Sequence, residues 1–122
     1  KLIEKEYAAA KLYFDLGTYF GTSSSSSSGN NYEACVVTAQ NAISDFPYSE
    51  RREDFAILIV RAKFELAEQS VESKKVERFQ NAIDEYHGFV NEYPKSKFLP
   101  KATSLYNRAK AFLAKPQNAA QS

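Results

Sequence analysis

The sequence is poor in the residue types on which many catalytic and metal sites depend. It has one cysteine, Cys35, and one histidine, His87, among 122 residues. A zinc site needs about three or four protein ligands, and a single cysteine has no partner for an internal disulfide. The sequence also has no nucleophile elbow and no glycine-rich phosphate loop. We therefore expect a protein that is not an enzyme and that uses neither a metal nor a cofactor.

The sequence also lacks a strong net charge and a long apolar run. It has 16 basic and 15 acidic residues, for a net charge of +1. Because nucleic acids and anionic membranes attract a concentrated positive field, we expect neither as a direct partner. No apolar stretch approaches the ~20 residues that span a bilayer. A helical pattern begins at once at Lys1, without a signal peptide or an initiator methionine, so we read the chain as part of a longer protein.

Glycine and proline are scarce, with four residues of each, which favours a mainly helical protein. Apolar residues at helical spacing predict five amphipathic helices, over residues 2–16, 32–46, 50–69, 75–92 and 98–113. Gly17 is predicted to end the first helix as a C-terminal cap. The segment from Thr22 to Asn31, with six serines in a row, is predicted to be a flexible loop. Residues 1–114 then form one helical-repeat domain, and residues 115–122 form a disordered tail.

The most informative feature is an internal repeat. The motif Phe46-Pro47-x-Ser49 recurs as Tyr93-Pro94-x-Ser96, at an offset of 94 − 47 = 47 residues. A pair of helices cannot bury its apolar face alone, so copies of such a unit must stack. The sequence therefore predicts an all-α fold of about five antiparallel helices in a right-handed, tetratricopeptide-like stack. Such stacks expose an extended surface for protein or peptide ligands.

Several residues are assigned structural roles within this repeat. Proline disfavours helical angles at the residue before it, so Phe46 and Tyr93 should end their helices. Ser49 and Ser96 should cap the helices that follow. Small side chains such as Ala39 let neighbouring helices approach closely, and Cys35 is expected to be a small buried side chain of the same kind. Two arginines also recur at the offset of 47 and are expected to be structural, namely Arg61 and Arg108.

Four residues are candidates for contact with a partner. Arg51 and Arg52 occupy the first turn of a predicted helix, where acidic residues are preferred, and a solvated helix turn is the alternative interpretation. Tyr13 and Tyr48 fall outside the apolar stripes of their segments, and exposed aromatic side chains mark interaction surfaces. The sequence leaves open whether these side chains are exposed. The same holds for two further aromatic residues, Phe20 and Phe64.

Several motifs together resemble a known family. They are Glu6-Tyr7-Ala8, Tyr13-Phe14-x-x-Gly17, Tyr32-x-Ala34 and Ala42-Ile43-x-x-Phe46-Pro47-x-Ser49. In this order they resemble the BamD family, the tetratricopeptide lipoproteins of the outer-membrane β-barrel assembly machinery, most of all those of the Bacteroidota. The resemblance covers nearly all of the chain outside the serine run and the tail, and corresponds to the C-terminal half of such a protein.

This resemblance implies a protein-binding scaffold on the periplasmic face of the bacterial outer membrane. The implied partners are the barrel-forming subunit of the machinery and unfolded outer-membrane proteins. The implied membrane attachment is an N-terminal lipid anchor that would lie upstream of this chain. Another periplasmic repeat adaptor of the cell envelope, such as a division or Tol-Pal-type coordinator, is the alternative.

Overall fold

The computed structural model describes residues 2–20 and 26–115, with side chains for all of these except residues 20 and 26–30. They form five α-helices: α1 (Leu2–Phe20), α2 (Ser26–Asp45), α3 (Arg52–Glu68), α4 (Glu72–Glu92) and α5 (Leu99–Ala114). No β-strand occurs in these ranges. Each helix packs on the next one in the chain, and α3 also contacts α1 and α5. The predicted all-α class is confirmed, and the packing is consistent with a stack of helical repeats.

Helix α3 is the centre of the fold because it contributes to two hydrophobic cores. The first core joins α1, α2 and α3, and its α3 residues are Phe55, Leu58, Ile59 and Ala62. The second core joins α3, α4 and α5, and its α3 residues are Ile57, Val60, Phe64 and Ala67. Helix α3 therefore buries apolar side chains on two of its sides. This explains why four consecutive residues, 57–60, are all buried, and why Phe64 is buried although it lies outside the predicted stripe.

The two proline turns contain the same hydrogen bonds, shifted by 47 residues. In the first turn, the backbone N–H of Phe46 donates to the carbonyl of Ala42 at 2.8 Å, and that of Ser49 donates to the carbonyl of Phe46 at 3.0 Å. The equivalent distances in the second turn are 2.8 and 3.1 Å, for Tyr93 to Phe89 and for Ser96 to Tyr93. Pro47 and Pro94 therefore mark equivalent corners of the stack, as predicted.

The predicted helix caps at Ser49 and Ser96 are wrong, because Arg51 and Phe98 hold the N-cap positions of α3 and α5 and no described side chain caps either helix. The two serines instead act within the turns that lead into these helices. The Ser49 hydroxyl accepts a hydrogen bond from the backbone N–H of Arg51, and the Ser96 hydroxyl accepts one from Phe98, both at 2.9 Å. Arg51 and Phe98 each stand one residue before their helix begins. The two serines thus stabilise equivalent approaches to the two helices.

The buried residues of α1 align with those of α3 at a sequence offset slightly larger than the 47 residues that relate the two proline turns. The buried residues Ala10, Phe14 and Gly17 align with the buried residues Val60, Phe64 and Ala67, at 67 − 17 = 50 residues. The chain is three residues longer between Gly17 and Tyr32 than between the aligned Ala67 and Phe79, since 32 − 17 = 15 and 79 − 67 = 12. The longer connection therefore leaves the packing of both flanking helices in register with the repeat.

Two predicted boundaries are wrong. Gly17 does not cap α1, because the helix continues to Phe20 and Gly17 is buried within it. The predicted loop from Thr22 to Asn31 is too long, because α2 begins at Ser26. Serine costs only about 0.5 kcal/mol relative to alanine inside a helix, so a helix that is already formed extends readily through it. Residues 21–25 and the predicted tail from residue 116 onward lie outside the described residues, as does the Phe20 side chain.

Candidate functional site

Three helices meet at the side chain of Tyr32. Its ring is fully buried and meets the Phe14 ring edge to face, with centroids 5.7 Å apart. Its hydroxyl lies 3.1 Å from the Thr18 hydroxyl on α1 and accepts a hydrogen bond from the Gln69 side chain, just after α3, also at 3.1 Å. Burial raises the pKa of Tyr32 above its ordinary value. Gly17 gives this ring its space, because a Cβ atom there would lie 2.8 Å from the nearest ring carbon.

The first proline turn, between α2 and α3, lies beside the start of α1. The second proline turn, between α4 and α5, lies beside the start of α3. The first turn borders a shallow depression shared with Ile3 and Glu4 at the start of α1. The second borders a similar depression shared with Glu53 at the start of α3. We call residues 46–54 and 93–101, with these two helix starts, the proline-turn edge. It is the surface on which three of the four predicted partner-binding residues lie, namely Tyr48, Arg51 and Arg52.

Arg51 ties the start of α3 to the start of α1. Its guanidinium group donates hydrogen bonds to the Glu4 carboxylate, the shortest at 2.6 Å, and to Asp54 at 3.1 Å. The same group lies over the Tyr7 ring, 4.3 Å from the centroid. The hydrogen bond to Glu4 is the main reason why the pKa of Arg51 is raised, so the side chain keeps its charge. Glu4 and Asp54 thus offset the positive charge that stands beside the start of α3.

Arg52 makes a second link of this kind, between α3 and α4. Its guanidinium lies 2.5 Å from the carboxylate of Glu92, at the C-terminal end of α4. The Nε atom of Arg52 is buried and has no hydrogen-bond partner among the described residues. Both arginines were predicted to face a partner, and both make intramolecular ion pairs. Neither ion pair excludes a contact with a partner, because both side chains remain about one-third exposed.

The two predicted tyrosines differ in exposure and in place. Tyr48 stands at the tip of the first proline turn and is 98% exposed. Tyr13 is only 36% exposed. It follows Glu4 by nine residues on α1, or about 14 Å along the helix axis, so it lies away from the proline-turn edge. The structure therefore brings Tyr48, Arg51 and Arg52 together and separates Tyr13 from them.

The sequence interpretation missed a basic cluster at the second turn. Lys95, Lys97 and Lys101 are exposed and make no ion pair with the described residues. At the offset of 47 they replace Tyr48, Glu50 and Asp54 of the first turn. This inversion from acidic to basic residues could have been found by writing the two repeats side by side. The proline-turn edge is therefore electrostatically polarised, with an aromatic, ion-paired turn at one end and a basic turn at the other.

Arg61 and Arg108, which recur with the repeat, make equivalent contacts between helices. Arg61 on α3 contacts α1, and Arg108 on α5 contacts α3. The Arg61 guanidinium lies 4.7 Å from the centre of the Phe14 ring on α1. Arg108 forms an ion pair with Glu68 at the end of α3. The direction of the contact is repeated while the partner differs, which agrees with a structural role for Arg61 and Arg108.

Cys35 and His87 have unlike surroundings. Cys35 is fully buried in the first core, and this desolvation raises the pKa of its thiol to about 12. That predicted burial is confirmed. His87 is exposed on α4, with its ring centroid 5.4 Å from that of Tyr106. Within residues 2–20 and 26–115, no three His, Cys, Asp or Glu side chains form a group that could hold a metal ion.

The comparisons with known proteins define no family for this chain. No protein-family model matches the sequence, and no curated protein is significantly similar to it. In the part of the chain that the structure describes, no helix combines the length and the apolar character needed to cross a membrane. The fold and the surface together define a class, a helical-repeat stack with a polarised edge.

Proposed function

We propose that this chain is a protein-binding scaffold of the tetratricopeptide type, with a role like that of the BamD component of the outer-membrane β-barrel assembly machinery. The duplicated proline turn, with its hydrogen bonds repeated at an offset of 47 residues, is the observation that carries the scaffold assignment. The ordered sequence motifs around Tyr7, Gly17, Tyr32 and Pro47 support the finer assignment. In this proposal the protein works by binding alone, without bond chemistry and without a cofactor.

The partners in this proposal are the barrel-forming subunit of the machinery and unfolded outer-membrane proteins. The location is the periplasmic face of the outer membrane, reached through a lipid anchor upstream of this chain. The proline-turn edge is the proposed contact surface. An exposed tyrosine offers a large, rigid contact area at low entropic cost, which is why tyrosine is enriched among the residues that dominate binding energy. Exposed lysines steer an acidic partner toward its site.

A binding measurement with purified components tests this function. The intact, lipidated protein is titrated with the periplasmic domains of the barrel-forming subunit. We expect Tyr48→Ala to weaken binding about tenfold, the cost of losing a well-packed tyrosine anchor. We expect Lys95→Glu with Lys97→Glu to slow association, most clearly at low salt. Lys74→Glu is the control, because Lys74 is an exposed lysine near the start of α4, remote from its C-terminal end and the second turn.

Three results would decide the proposal. Failure of the intact protein to bind these domains removes the specific assignment. Binding that ignores the variants at Tyr48, Lys95 and Lys97 places the contact surface elsewhere on the stack. Stable association with a different envelope protein, and none with the assembly machinery, selects the alternative adaptor role.

A further inference from the structure

Helices α2 and α4 leave a cleft between them along one side of α3. Both helices pack on α3, but in the described part of the chain they scarcely contact each other. The cleft has a volume of about 170 Å³, and its apolar lining includes Ile43 on α2, Ala56 and Ile59 on α3, and Phe89 on α4. Because its walls are described helices and each repeat contacts only its neighbours, helices beyond α1 or α5 would leave the cleft open.

Gly88 on α4 gives the cleft its space. No atom lies within 4 Å of the position that a Cβ atom would take at Gly88. Glycine is unfavourable inside a helix, and here no close neighbour requires it. At the offset of 47 the equivalent residue of α2 is Asn41, so the repeat does not require glycine either. Unlike Gly17, which fits the Tyr32 ring, Gly88 therefore leaves space at the surface.

The charges at the rim of the cleft cancel in pairs. Arg52 lies 2.5 Å from Glu92, and Lys63 donates a hydrogen bond to Glu85 at 2.8 Å. Both pairs join α3 to α4 and fix that side of the cleft. Since burying a charge is unfavourable unless the charge is paired, a cleft with an apolar centre and paired rim charges suits an uncharged, apolar group.

The volume of the cleft matches a single side chain. Sites for small-molecule ligands and cofactors enclose about 300–1,000 Å³, whereas an apolar cavity of about 150 Å³ holds one benzene molecule. At about 170 Å³ the cleft accommodates one ring or one branched aliphatic side chain. Pockets of this kind receive the anchor residues that dominate binding between proteins. The ligand class is therefore a side chain of another polypeptide.

Tyr93 connects the cleft with the basic end of the proline-turn edge. It lines the cleft and also the depression that contains Glu53, Lys95 and Lys97. Glu53 and the three lysines of the basic cluster give the surface beside the cleft a net charge of 3 − 1 = +2. A polypeptide segment that crosses both depressions is complementary in charge when acidic residues flank its apolar side chain.

We propose that the cleft over Gly88 is an anchor site for the protein partner. It receives one leucine-sized apolar side chain, from a segment whose neighbouring acidic residues reach Lys95 and Lys97. This inference rests on the proposed function, because it assigns the anchor to the partner that binds the proline-turn edge. One anchor residue in an open cleft binds weakly by itself, so the isolated segment should have a dissociation constant of about 1 mM.

Titration of the isotope-labelled full chain with blocked peptides, followed by amide chemical shifts, tests the cleft. The probe is acetyl-Asp-Glu-Leu-Glu-Asp-amide, and we expect it to shift the signals of Ala56, Ile59 and Gly88. The peptide with alanine in place of leucine should bind about tenfold more weakly, because it buries less apolar surface. The peptide with lysine in place of all four acidic residues should bind about fivefold more weakly, because the lysines of the chain repel it.

Two matched variants separate blocking of the cleft from loss of the fold. Gly88→Leu places a side chain in the cleft and should weaken peptide binding more than about tenfold, with a circular dichroism melt that is unchanged or higher. Asn41→Leu adds the same side chain at the equivalent, exposed position of α2 and should bind the peptide like the unchanged chain. In the intact protein, Gly88→Leu should weaken binding to the periplasmic domains of the barrel-forming subunit about tenfold.

The outcomes distinguish failure of this inference from failure of the proposed function. If the domains bind and Gly88→Leu leaves that binding unchanged, the anchor site is refuted and the proposed function stands. If the leucine peptide binds at Gly88 but the domains do not bind, the anchor site stands and belongs to a different acidic partner. Equal binding of the leucine and alanine peptides, or no shift near Gly88 up to ~10 mM peptide, overturns the anchor site. Tighter binding of the lysine peptide refutes the acidic character of the segment.

Discussion

Alanine substitutions at two glycines should change the stability of this protein in opposite directions. Both Gly17 and Gly88 lie inside helices, where alanine is intrinsically about 1 kcal/mol more favourable than glycine. At Gly88 nothing lies within 4 Å of the position that a Cβ atom would take. Gly88→Ala should therefore stabilise the protein by about 0.5–1 kcal/mol.

At Gly17 the same methyl group collides with a ring that has no room to move. The added Cβ would lie 2.8 to 2.9 Å from three ring atoms of Tyr32. That ring is fully buried against Phe14, and its hydroxyl is bonded to Thr18 and Gln69. Overpacking of this kind costs about 1–3 kcal/mol, and a broken hydroxyl bond costs about 1 kcal/mol more. After the helix gain is subtracted, Gly17→Ala should destabilise the protein by about 1–3 kcal/mol.

Urea unfolding followed by circular dichroism measures both effects on the same scale. For a chain of this size, 1 kcal/mol corresponds to about 4 °C in Tm, so thermal unfolding should separate the two variants by about 6–16 °C. In a Tyr32→Leu background the ring is gone, and Gly17→Ala should become neutral or stabilising. If Gly17→Ala alone matched Gly88→Ala in stability, the close approach of Tyr32 to α1 would be refuted.

Three further predictions concern polar and titratable groups. Tyr32→Phe should cost about 1–2 kcal/mol in urea unfolding, because it removes the hydroxyl that bonds Thr18 and Gln69. A double-mutant cycle between Arg51→Ala and Glu4→Ala should give a coupling of about 0.5–1 kcal/mol that shrinks in high salt, and a coupling of zero would show that the ion pair does not tie α1 to α3. The Cys35 thiol, whose pKa is about 12 in the fold against 9.0 for the unfolded chain, contributes stability that is complete below pH 9 and is lost as pH rises toward 12. The stability difference between the unchanged chain and Cys35→Ala should follow that loss, and a difference independent of pH above 9 would contradict the burial of the thiol.

The helices and the repeat could be predicted from the sequence because their signals are local. Apolar spacing placed α3, α4 and α5 within three residues of their bounds. The proline motif marked both corners of the stack because proline acts on the residue beside it. The predictions for Gly17 and for the serine run were wrong because the structure at these positions is not determined by local sequence alone. Gly17 and the start of α2 at Ser26 depend on what packs against those residues, and tertiary packing overrides local preference.

The candidate site was less predictable, because its residues are defined by contacts across long stretches of chain. Arg51 was singled out as an unusual charge beside a helix start, but its partner Glu4 lies 47 residues away. Glu92, the partner of Arg52, lies 92 − 52 = 40 residues away. The exposure of Tyr48 also depends on the fold, since an aromatic residue outside an apolar stripe can be exposed, as Tyr48 is, or buried, as Phe64 is.

The position of each turn in the stack explains why the two ends of the proline-turn edge differ. The first turn leads into α3, which is covered on both sides, so Arg51 is neutralised from α1 by Glu4 and Arg52 from α4 by Glu92. At the second turn, Phe98 and Leu99 stand at the positions of Arg51 and Arg52, and the lysines Lys95, Lys97 and Lys101 form no ion pair with the described residues. Lysines at that turn therefore keep their charge exposed to solvent. The exposed basic charge of the proline-turn edge is therefore concentrated at the second turn, which is where the proposed contact with an acidic partner should depend most on salt.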